Sequence, residues 1–426
     1  MTVMARRRLV RNAARRHRWV RRAILAGFAV TIAAWSTAVA GAAEIGPGDD
    51  LCVAINQLSP GEELRLRPGD YPGPCVIRRG GAPDMPTTIA AADPQQRPRI
   101  VYDGVTANVF EVRAGRLVIR GLEFGPTRAD VDAIRIVTGN NIVIEDCRFV
   151  QLGGIAITAN NMSVRGLTIR GNVIENSQST GLYFGCHDGQ RCVVSDLLVE
   201  GNYIRGITAG PTEIGYGIEI KLNSSGIVRD NIILRTKGPG IMVYGARDLL
   251  TQNLVERNVV MGSERSAGVV VGGGPAVIRN NVVLTNNDGG ISLQDYGQRG
   301  LLRKIAVVHN TIYGNLVGGV TIEGHDVRDT TLLNNAIQSP GGTPAVPAPR
   351  PGVWTAGNVD CTYRACFMQP DGFDFSPFPG SALVGPGTLA GGEALPREDL
   401  FRMRRGSPPT VGAIERPSGP IPLEPW

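Results

Sequence analysis

The sequence predicts an all-β fold, a right-handed parallel β-helix solenoid with a short N-terminal capping helix, and two recurring phrases support this prediction. The first phrase is apolar–x–x–Asn–x–apolar, which recurs at steps of 23 to 30 residues with its asparagine at Asn172, Asn202, Asn231, Asn258, Asn281, Asn310 and Asn335. Repeats of this size are typical of stacked architectures. The second phrase is Gly-led with aliphatic residues two apart, as in Gly217-Ile218-Glu219-Ile220. That spacing is typical of β-strands, and no repeat contains a helix-length pattern.

A β-propeller is the alternative arrangement of such strands. Propeller blades are longer, at about 40 residues, and their antiparallel strands need tight hairpin turns. One coil of a parallel β-helix fits the repeat length better, with aliphatic side chains inside and backbone hydrogen bonds between coils. In this fold the recurring asparagine is predicted to be structural, because at a turn its amide can bond along the stack and it tolerates left-handed backbone.

The formal net charge of +6 does not indicate a nucleic-acid partner. Residues 1–42 contain nine of the 44 basic residues and no acidic residue. The remaining 35 bases stand against 38 acids, so the rest of the chain has a net charge of −3. The basic charge belongs to the N-terminal segment alone.

This N-terminal segment is predicted to be an export signal. Its arginines precede an apolar run from Ala23 to Val39 and the small residues Ala40-Gly41-Ala42. A membrane anchor is the alternative, since about 17 apolar residues nearly span a bilayer. We expect a cleaved signal, a secreted or periplasmic protein and no membrane association after cleavage. The seven cysteines fit an oxidising compartment, with predicted disulfides Cys52–Cys75, Cys186–Cys192 and Cys361–Cys366 and with Cys147 left as a buried thiol.

Four segments are predicted along the chain. Residues 1–42 are the export signal, residues 43–99 an N-terminal cap with the first strands, residues 100–338 the β-helix coils, and residues 339–426 a Pro/Gly-rich loop with a C-terminal cover. The cap contains a short amphipathic helix between Asp49 and Leu58, which would close the open end of the stack. A monomer is expected.

Several segments resemble secreted bacterial right-handed β-helix proteins of the pectate-lyase-like superfamily. They are the segment Pro68-Gly69-Asp70-Tyr71, the opening coil Leu117-Val118-Ile119-Arg120-Gly121-Leu122, the Asn-phrase coils and the closing Val411-Gly412-Ala413-Ile414-Glu415. Within the superfamily the chain looks nearest to the alginate lyase and chondroitinase B group. This resemblance implies a polysaccharide ligand and names calcium as the candidate metal, although the group's calcium-binding acids are not recognisable here.

The Gly-led strands predict which side chains point outward. Placing Ile155, Leu182, Ile218, Ile241 and Val269 inside gives two outward columns. The first contains Arg135, Ala156, Tyr183, Glu219, Met242, Val270, Ser292 and Thr321, and the second contains Val137, Thr158, Gly185, Lys221, Tyr244, Gly272, Gln294 and Glu323. Tyr183, Glu219, Lys221 and Tyr244 then form one patch, which we expect to be solvent-facing with open floor at the two glycines.

Lys221 is the predicted catalytic base and Tyr244 the predicted catalytic acid. The chain has only three lysines, and a lysine beside a tyrosine on a strand suits β-elimination on a uronic acid. The amine would remove the proton at C5 and the phenol would protonate the leaving oxygen. The alternative is an ordinary lysine on a solvated face. Glu219-Ile220-Lys221 resembles the strand that supplies the base in the lyase group. In that group, however, the acid and the lysine are further apart, and the next coil has an Arg-His pair where this chain has Val243-Tyr244.

Five further residues are predicted to bind substrate together with Glu219: Tyr183, His187, Asp188, Arg247 and Gln294. Paired carboxylates for glycoside hydrolysis are not found beside Glu219 in its column. Two functions therefore stay open. The first is an exported lyase that cleaves an acidic polysaccharide by β-elimination. The second is a non-catalytic glycan-binding or cell-envelope protein that uses the same face to stack on sugars.

Overall fold

The computed structural model describes residues 42–210, 213–295, 300–339 and 344–424. Apart from Ala42, the predicted export signal lies outside these residues. Within the described ranges no helix is long and apolar enough to cross a membrane.

The described strands form a right-handed parallel β-solenoid of three long sheets, which confirms the predicted fold. Sheet 1 has thirteen described strands: Ala42–Ile45, Glu63–Leu66, Thr87–Ala91, Leu117–Arg120, Ile142–Glu145, Leu167–Arg170, Leu197–Glu200, Gly226–Arg229, Asn253–Glu256, Ala276–Arg279, Arg303–Val308, Arg328–Leu333 and Val353–Ala356. Sheet 2 has twelve: Asp70–Pro72, Arg99–Val101, Glu123–Phe124, Arg148–Leu152, Val173–Ser177, Tyr203–Ile207, Ile232–Thr236, Val259–Met261, Val282–Leu284, Thr311–Tyr313, Ala336–Ile337 and Val359–Asp360.

Sheet 3 carries the candidate site and has ten described strands: Cys75–Ile77, Phe110–Val112, Ile134–Ile136, Ile157–Ala159, Leu182–Phe184, Ile218–Ile220, Ile241–Val243, Val269–Val271, Gly289–Gln294 and Gly318–Glu323. Two small sheets pair Val164–Arg165 with Val194–Ser195 and, antiparallel, Phe367–Gln369 with Asp374–Pro377. Two short 3-10 helices cover Pro370–Gly372 and Gly392–Ala394. Strands of the stack thus occur both before residue 100 and after residue 338.

The strands of sheet 3 stack in register, and their inward aliphatic side chains fill the core. Ile218 is paired with Ile241, which is paired with Val269, and all three are fully buried. One predicted register is wrong. Ile157, not Ile155, is paired with Leu182, so Thr158 takes the outward position that was predicted for Ala156. The segment offers aliphatic residues at both positions, and spacing alone does not distinguish them.

The recurring asparagines form a buried ladder along the turn between sheets 1 and 2. From Asn172 to Asn358, each Nδ2 atom donates to Oδ1 of the next asparagine at 2.8–3.0 Å. The same Oδ1 atoms accept from backbone N–H groups at 2.9–3.1 Å, and each Nδ2 atom also donates to a main-chain carbonyl of a preceding coil. Cys147 takes the corresponding position before Asn172, because its backbone N–H donates to Asn172 Oδ1 at 2.9 Å.

The left-handed backbone that was expected at the ladder asparagines lies one residue earlier. The residues that precede successive ladder positions have φ between 54° and 64°: Gly171, Gly201, Asp230, Arg257, Asn280, His309, Asn334 and Gly357. These residues turn the chain, and the asparagines that follow them supply the hydrogen bonds.

A column of alternating charges lies on the outer face of sheet 1. In-register pairing places, in order, Arg120, Glu145, Arg170, Glu200, Arg229, Glu256 and Arg279 in this column. Neighbours form ion pairs, including Arg170 with Glu145 at 2.5 Å and Arg229 with Glu200 at 2.8 Å. Opposite charges on adjacent strands stabilise the pairing of the sheet.

The helix α1, Leu51–Gln57, lies near the N-terminal end of the stack as predicted. Asp50 caps it by accepting from the backbone N–H of Val53, while Leu51 and Ile55 are buried in the main core. The disulfide Cys52–Cys75 joins the helix to the first strand of sheet 3. Cys186–Cys192 and Cys361–Cys366 are also disulfides, so all three predicted pairs are confirmed. Cys147 is a buried thiol whose pKa is raised to about 12 by desolvation.

The C-terminal segment covers the outer face of sheet 2. Its apolar residues Val411, Ala413 and Ile414 are buried in one cluster with Val282 and Leu284 of that sheet. The buried Arg405 donates to Asn280 Oδ1 and to Glu415 and so joins the cover to the turns of the stack. His309 is enclosed here, with Asn334 Nδ2 2.9 Å from its Nε2 atom.

We expect Asn258→Ala to destabilise the fold by about 3 kcal/mol or more. The replacement leaves the backbone N–H of Asn231 and the Val228 carbonyl without these partners and removes one hydrogen bond each from the Asn231 amide and from Asn281 Oδ1; each buried unpaired group costs about 1–3 kcal/mol. Denaturant unfolding measures the loss. Asn287, exposed and outside the ladder, is the matched control, and equal losses for Asn258→Ala and Asn287→Ala would contradict the ladder's role.

We expect stability to fall between pH 7 and pH 5 through His309. Burial, and secondarily the Arg405 guanidinium, lowers the pKa of His309 well below its ordinary value, so the folded state keeps the ring neutral. The unfolded chain binds a proton near pH 6.5, so stability is lost as the pH falls below that value, by about 1.4 kcal/mol per pH unit until the folded pKa is reached. Thermal unfolding of His309→Asn is the comparison, because asparagine occupies the equivalent left-handed positions 280 and 334. The prediction fails if the variant has the same pH slope as the parent.

Candidate functional site

The four residues of the predicted patch are neighbours on the outer face of sheet 3. Tyr183 is paired in register with Glu219. Backbone pairing continues one residue beyond the strands, since Lys221 N donates to Phe184 O at 2.8 Å and Tyr244 N donates to Ile220 O at 3.0 Å. Adjacent coils therefore bring these side chains together, although they are far apart in the chain.

The ammonium group of Lys221 is held by three side chains. Its Nζ atom donates to Glu219 Oε1 at 2.5 Å. The same Nζ lies 4.8 Å from the centre of the Tyr183 ring and 4.6 Å from that of Tyr244, which are cation–π distances. One carboxylate and two aromatic rings thus fix the position of a single amine.

The expectation that this patch faces solvent is wrong. The side chains of Lys221 and Glu219 are only 5% and 1% exposed, and Tyr244 is 3% exposed. The open floor expected at Gly185 is also closed, because a Cβ atom there would lie 2.2 Å from Ser224 Oγ. Tyr183 is half-buried and is the most exposed member of the group. Replacing Lys221 is therefore expected to affect folding, since it removes one partner of a buried ion pair.

Tyr216 is a residue of the site that the sequence reasoning missed. Its hydroxyl lies 3.2 Å from the hydroxyl of Tyr244, and both tyrosines belong to a buried cluster with Leu222, Met242, Ala267 and Val270. Tyr216 directly precedes the Gly-led phrase of its coil, outside the strand alternation that defined the outward columns. The only available signal was an aromatic residue next to that phrase.

Two of the other predicted substrate-binding residues, His187 and Asp188, lie on one loop. His187 is exposed on the loop closed by Cys186–Cys192. Asp188 holds that loop together, because its carboxylate accepts from the backbone of Gln190 and from both the backbone and the side chain of Arg191. These hydrogen bonds, led by the one from Gln190, lower the pKa of Asp188.

Arg247 and Gln294 belong to two other coils. Arg247 is exposed, and its backbone N–H donates to Asn223 Oδ1 at 3.0 Å. Gln294 ends its strand of sheet 3 in register with Glu323. The geometry thus forms one compact centre from Tyr183, Glu219, Lys221 and Tyr244, whereas Gln294 lies three strands from Glu219 in sheet 3.

An arginine–aspartate pair lies on the same face towards the N-terminal end. Arg135 Nε and Nη2 donate to Asp132 Oδ2 at 3.1 and 2.7 Å. Asp132 is buried, and desolvation is the main cause that raises its pKa, against the opposing effect of Arg135. The corrected register pairs Arg135 with Thr158 and Thr158 with Tyr183.

The described residues do not fit a calcium site. Calcium takes six to eight oxygen ligands, usually with several carboxylates. Among the described residues no group of three His, Cys, Asp or Glu side chains is placed to hold a metal ion. Glu219, the carboxylate of the centre, is already bound to Lys221.

Fold and site together define a β-helix protein with a buried, tyrosine-lined polar centre on one sheet. The sequence model described as right handed beta helix region matches residues 132–312 and 194–365, which together span more than half of the chain. The chain belongs to this family. No curated protein matches its sequence.

Solved structures of similar fold include polysaccharide-acting proteins. A family PL6 polysaccharide lyase from Pseudopedobacter saltans is 14% identical, with a TM-score of 0.50 over 75% of this chain and 92% of its own. Pectate lyase Pel9A is 14% identical, with a TM-score of 0.52 over 88% and 97% of the two chains. XylC, in complex with xylose, is 10% identical, with a TM-score of 0.60 over 88% and 96%. At these identities the likeness establishes the fold alone.

We expect single replacements in the Glu219–Lys221 pair to be costly. Lys221→Met leaves a buried carboxylate without its partner, which costs about 3–5 kcal/mol. Adding Glu219→Gln removes that charge and is expected to restore most of the loss, as measured by denaturant unfolding.

The matched control for this experiment is the exposed pair Arg165–Asp196. Breaking this pair should cost less than about 1 kcal/mol. Equal costs for the two pairs, or strict additivity of Lys221→Met and Glu219→Gln, would contradict a buried, coupled ion pair.

Proposed function

We propose that this protein is an exported polysaccharide lyase that cleaves an acidic, uronate-containing polysaccharide by β-elimination. The observation that carries the proposal is a lysine amine fixed between a carboxylate and two tyrosine rings on the outer face of a β-helix. The fold that the chain shares with polysaccharide lyases supports a glycan substrate.

Lys221 is assigned as the base that removes the C5 proton. An ammonium cannot accept a proton, so the amine must first lose one. Glu219 Oε1, 2.5 Å from Nζ, is the acceptor at hand. Passing the proton to Glu219 converts two buried charges into an uncharged pair, and burial favours uncharged forms.

Tyr244 is assigned as the acid that protonates the leaving group. When Lys221 takes the C5 proton, the electron pair forms the C4–C5 double bond and the bond from C4 to the glycosidic oxygen breaks. The Tyr244 phenol donates its proton to that oxygen. Transfer of a proton from the Lys221 ammonium to the Tyr244 phenolate, 4.6 Å from Nζ to the ring centre, then restores both groups.

The surrounding residues are assigned to substrate binding. The half-buried Tyr183 ring offers a surface on which a sugar can stack next to the amine. Arg247 and His187 lie on exposed loops that can approach the uronate carboxylate. Gln294 lies three strands beyond Glu219 towards the C-terminal end and is assigned no contact with the substrate. Asp188 acts indirectly by holding the loop that carries His187.

We place the mature protein outside the cytoplasm, either secreted or periplasmic. Three disulfides among seven cysteines are consistent with an oxidising compartment. A polymeric glycan is also a substrate met outside the cell.

The second candidate function is a non-catalytic glycan-binding protein. The mutual neutralisation and burial of Glu219 and Lys221 favour it, because such a pair can also serve only to specify packing. In that case Tyr183 would stack on sugar and no bond would be cleaved.

The test is incubation with a panel of uronate-containing polysaccharides, followed by the ultraviolet absorbance of the unsaturated product. Wild-type protein should form product, and Lys221→Arg should form none, because a guanidinium keeps its charge and cannot act as the base. Tyr244→Phe should lower kcat by a hundredfold or more, since general acid catalysis contributes about 10²–10⁴-fold.

Tyr216→Phe is the matched control for Tyr244→Phe. Both changes remove one hydroxyl from the same 3.2 Å hydrogen bond at equal volume, but only Tyr244 is the assigned acid. We expect Tyr216→Phe to lower kcat less than tenfold. Equal losses would refute the acid assignment, and binding without product on every polysaccharide would replace the lyase by the binding protein.

A further inference from the structure

The solvent accessibility of the outer face of sheet 3 differs between the two sides of Lys221. Towards the C-terminal end, the outward residues Met242 and Val270 are fully buried and pack with Tyr216 and Ala267. Towards the N-terminal end, the outward column continues through the half-buried Tyr183 to Arg135, whose side chain is 29% exposed. A sugar chain next to Lys221 therefore finds accessible surface on its N-terminal side, among the described residues.

The neighbours of Arg135 orient its guanidinium group so that one edge is directed away from its carboxylate partner, Asp132. Asp132 accepts from Nε and Nη2, and its other oxygen accepts from the backbone N–H of Ile155 at 2.8 Å. Among the described residues, the contacts of the remaining nitrogen, Nη1, are long ones of 3.4 Å to Oδ1 of Asn160 and of Asn161. These contacts are weak, so an incoming carboxylate can replace them.

An unpartnered polar atom lies between Arg135 and Tyr183. Thr158 is fully buried, and its hydroxyl has no hydrogen-bond partner. The pairing register directs its side chain to the outer face, between these two residues. Buried hydroxyls are normally satisfied, so the Thr158 hydroxyl has bonding capacity left for a ligand group or an ordered water.

The spacing of this column matches an extended polysaccharide. Arg135, Thr158, Tyr183 and Glu219 are on successive strands, which are about 4.8 Å apart. One sugar of an extended chain advances by a similar distance. Arg135 therefore lies about three sugars from the Glu219–Lys221 centre.

We propose that Arg135, with Thr158 and Asn160, forms a carboxylate-binding subsite for a uronate about three sugars from Lys221, and that the acidic chain lies on this side of Lys221 only. This inference rests on the proposed function for its substrate class. Because Asp132 neutralises part of the arginine charge, the affinity that Arg135 adds comes from directed hydrogen bonds, and we expect it to lower Kd about tenfold. A chain bound on one side only is cut near its end.

The test measures Kd by calorimetry for oligouronates of two to six sugars, in the Tyr244→Phe background so that the oligomers stay intact. Affinity should rise with length up to about four sugars. Arg135→Gln should weaken binding of the tetramer and hexamer about tenfold and leave the dimer unchanged. Arg148→Gln is the matched control, since Arg148 pairs with Glu123 and Glu175 on sheet 2. Arg135→Lys keeps a positive charge beside Asp132 but loses the planar guanidinium edge. It serves as the test if Arg135→Gln does not fold, and it should weaken tetramer and hexamer binding to the same extent.

Each result separates this inference from the proposed function. If the wild-type protein cleaves the polymer but neither Arg135→Gln nor Arg135→Lys changes Kd, the subsite is overturned and the proposed lyase function stands. Arg135-dependent binding without cleavage supports the subsite and removes the lyase. Random internal cutting of a long polymer, rather than early release of short products, overturns the one-sided arrangement. No binding and no cleavage overturns both.

Discussion

Every coil of this protein depends on the next one, because the backbone and the asparagine ladder are satisfied only by in-register parallel stacking. Asn258 receives two hydrogen bonds from Asn231 and donates one to Asn281, so its amide bonds cross two interfaces between coils. The same register creates the candidate site. It places Tyr183 beside Glu219 and Lys221 beside Tyr244, so residues distant in the chain become neighbours on a single sheet.

The repeat phrases in the sequence were sufficient to predict the solenoid and the ladder, and the positions of the cysteines predicted the disulfides. A ladder asparagine must recur once per coil, and this makes it visible without a structure. The register at residues 155–157 was not determined in the same way, because Ile155 and Ile157 satisfy the same alternation. In the structure Ile157 is the residue that is paired with Leu182.

Burial of the site could not be read from the strands. The outward columns correctly predicted that the four residues of the patch meet, but the burial of this patch involves residues outside the alternation, such as Tyr216 and Ser224. The C-terminal cover is similar. Its residues were recognised as a cover, but their position along sheet 2 follows from contacts such as Arg405 with Asn280, which have no periodic signal.

The charges on this face of sheet 3 cancel in pairs, so the face attracts a polyanion only weakly. Glu219 and Lys221 cancel each other, and Asp132 partly cancels Arg135. Recognition of an acidic glycan on this face would therefore come from directed hydrogen bonds and stacking on Tyr183, with little long-range steering.

The alternating charges on sheet 1 restrict how such a solenoid can change in length. Deleting one coil between Glu145 and Arg229 would bring two like charges onto adjacent strands, where they repel each other. Deleting two coils would keep each arginine next to a glutamate. In this region, insertion or loss of coils in pairs preserves the charge pattern, whereas insertion or loss of a single coil reverses it for every strand beyond the change.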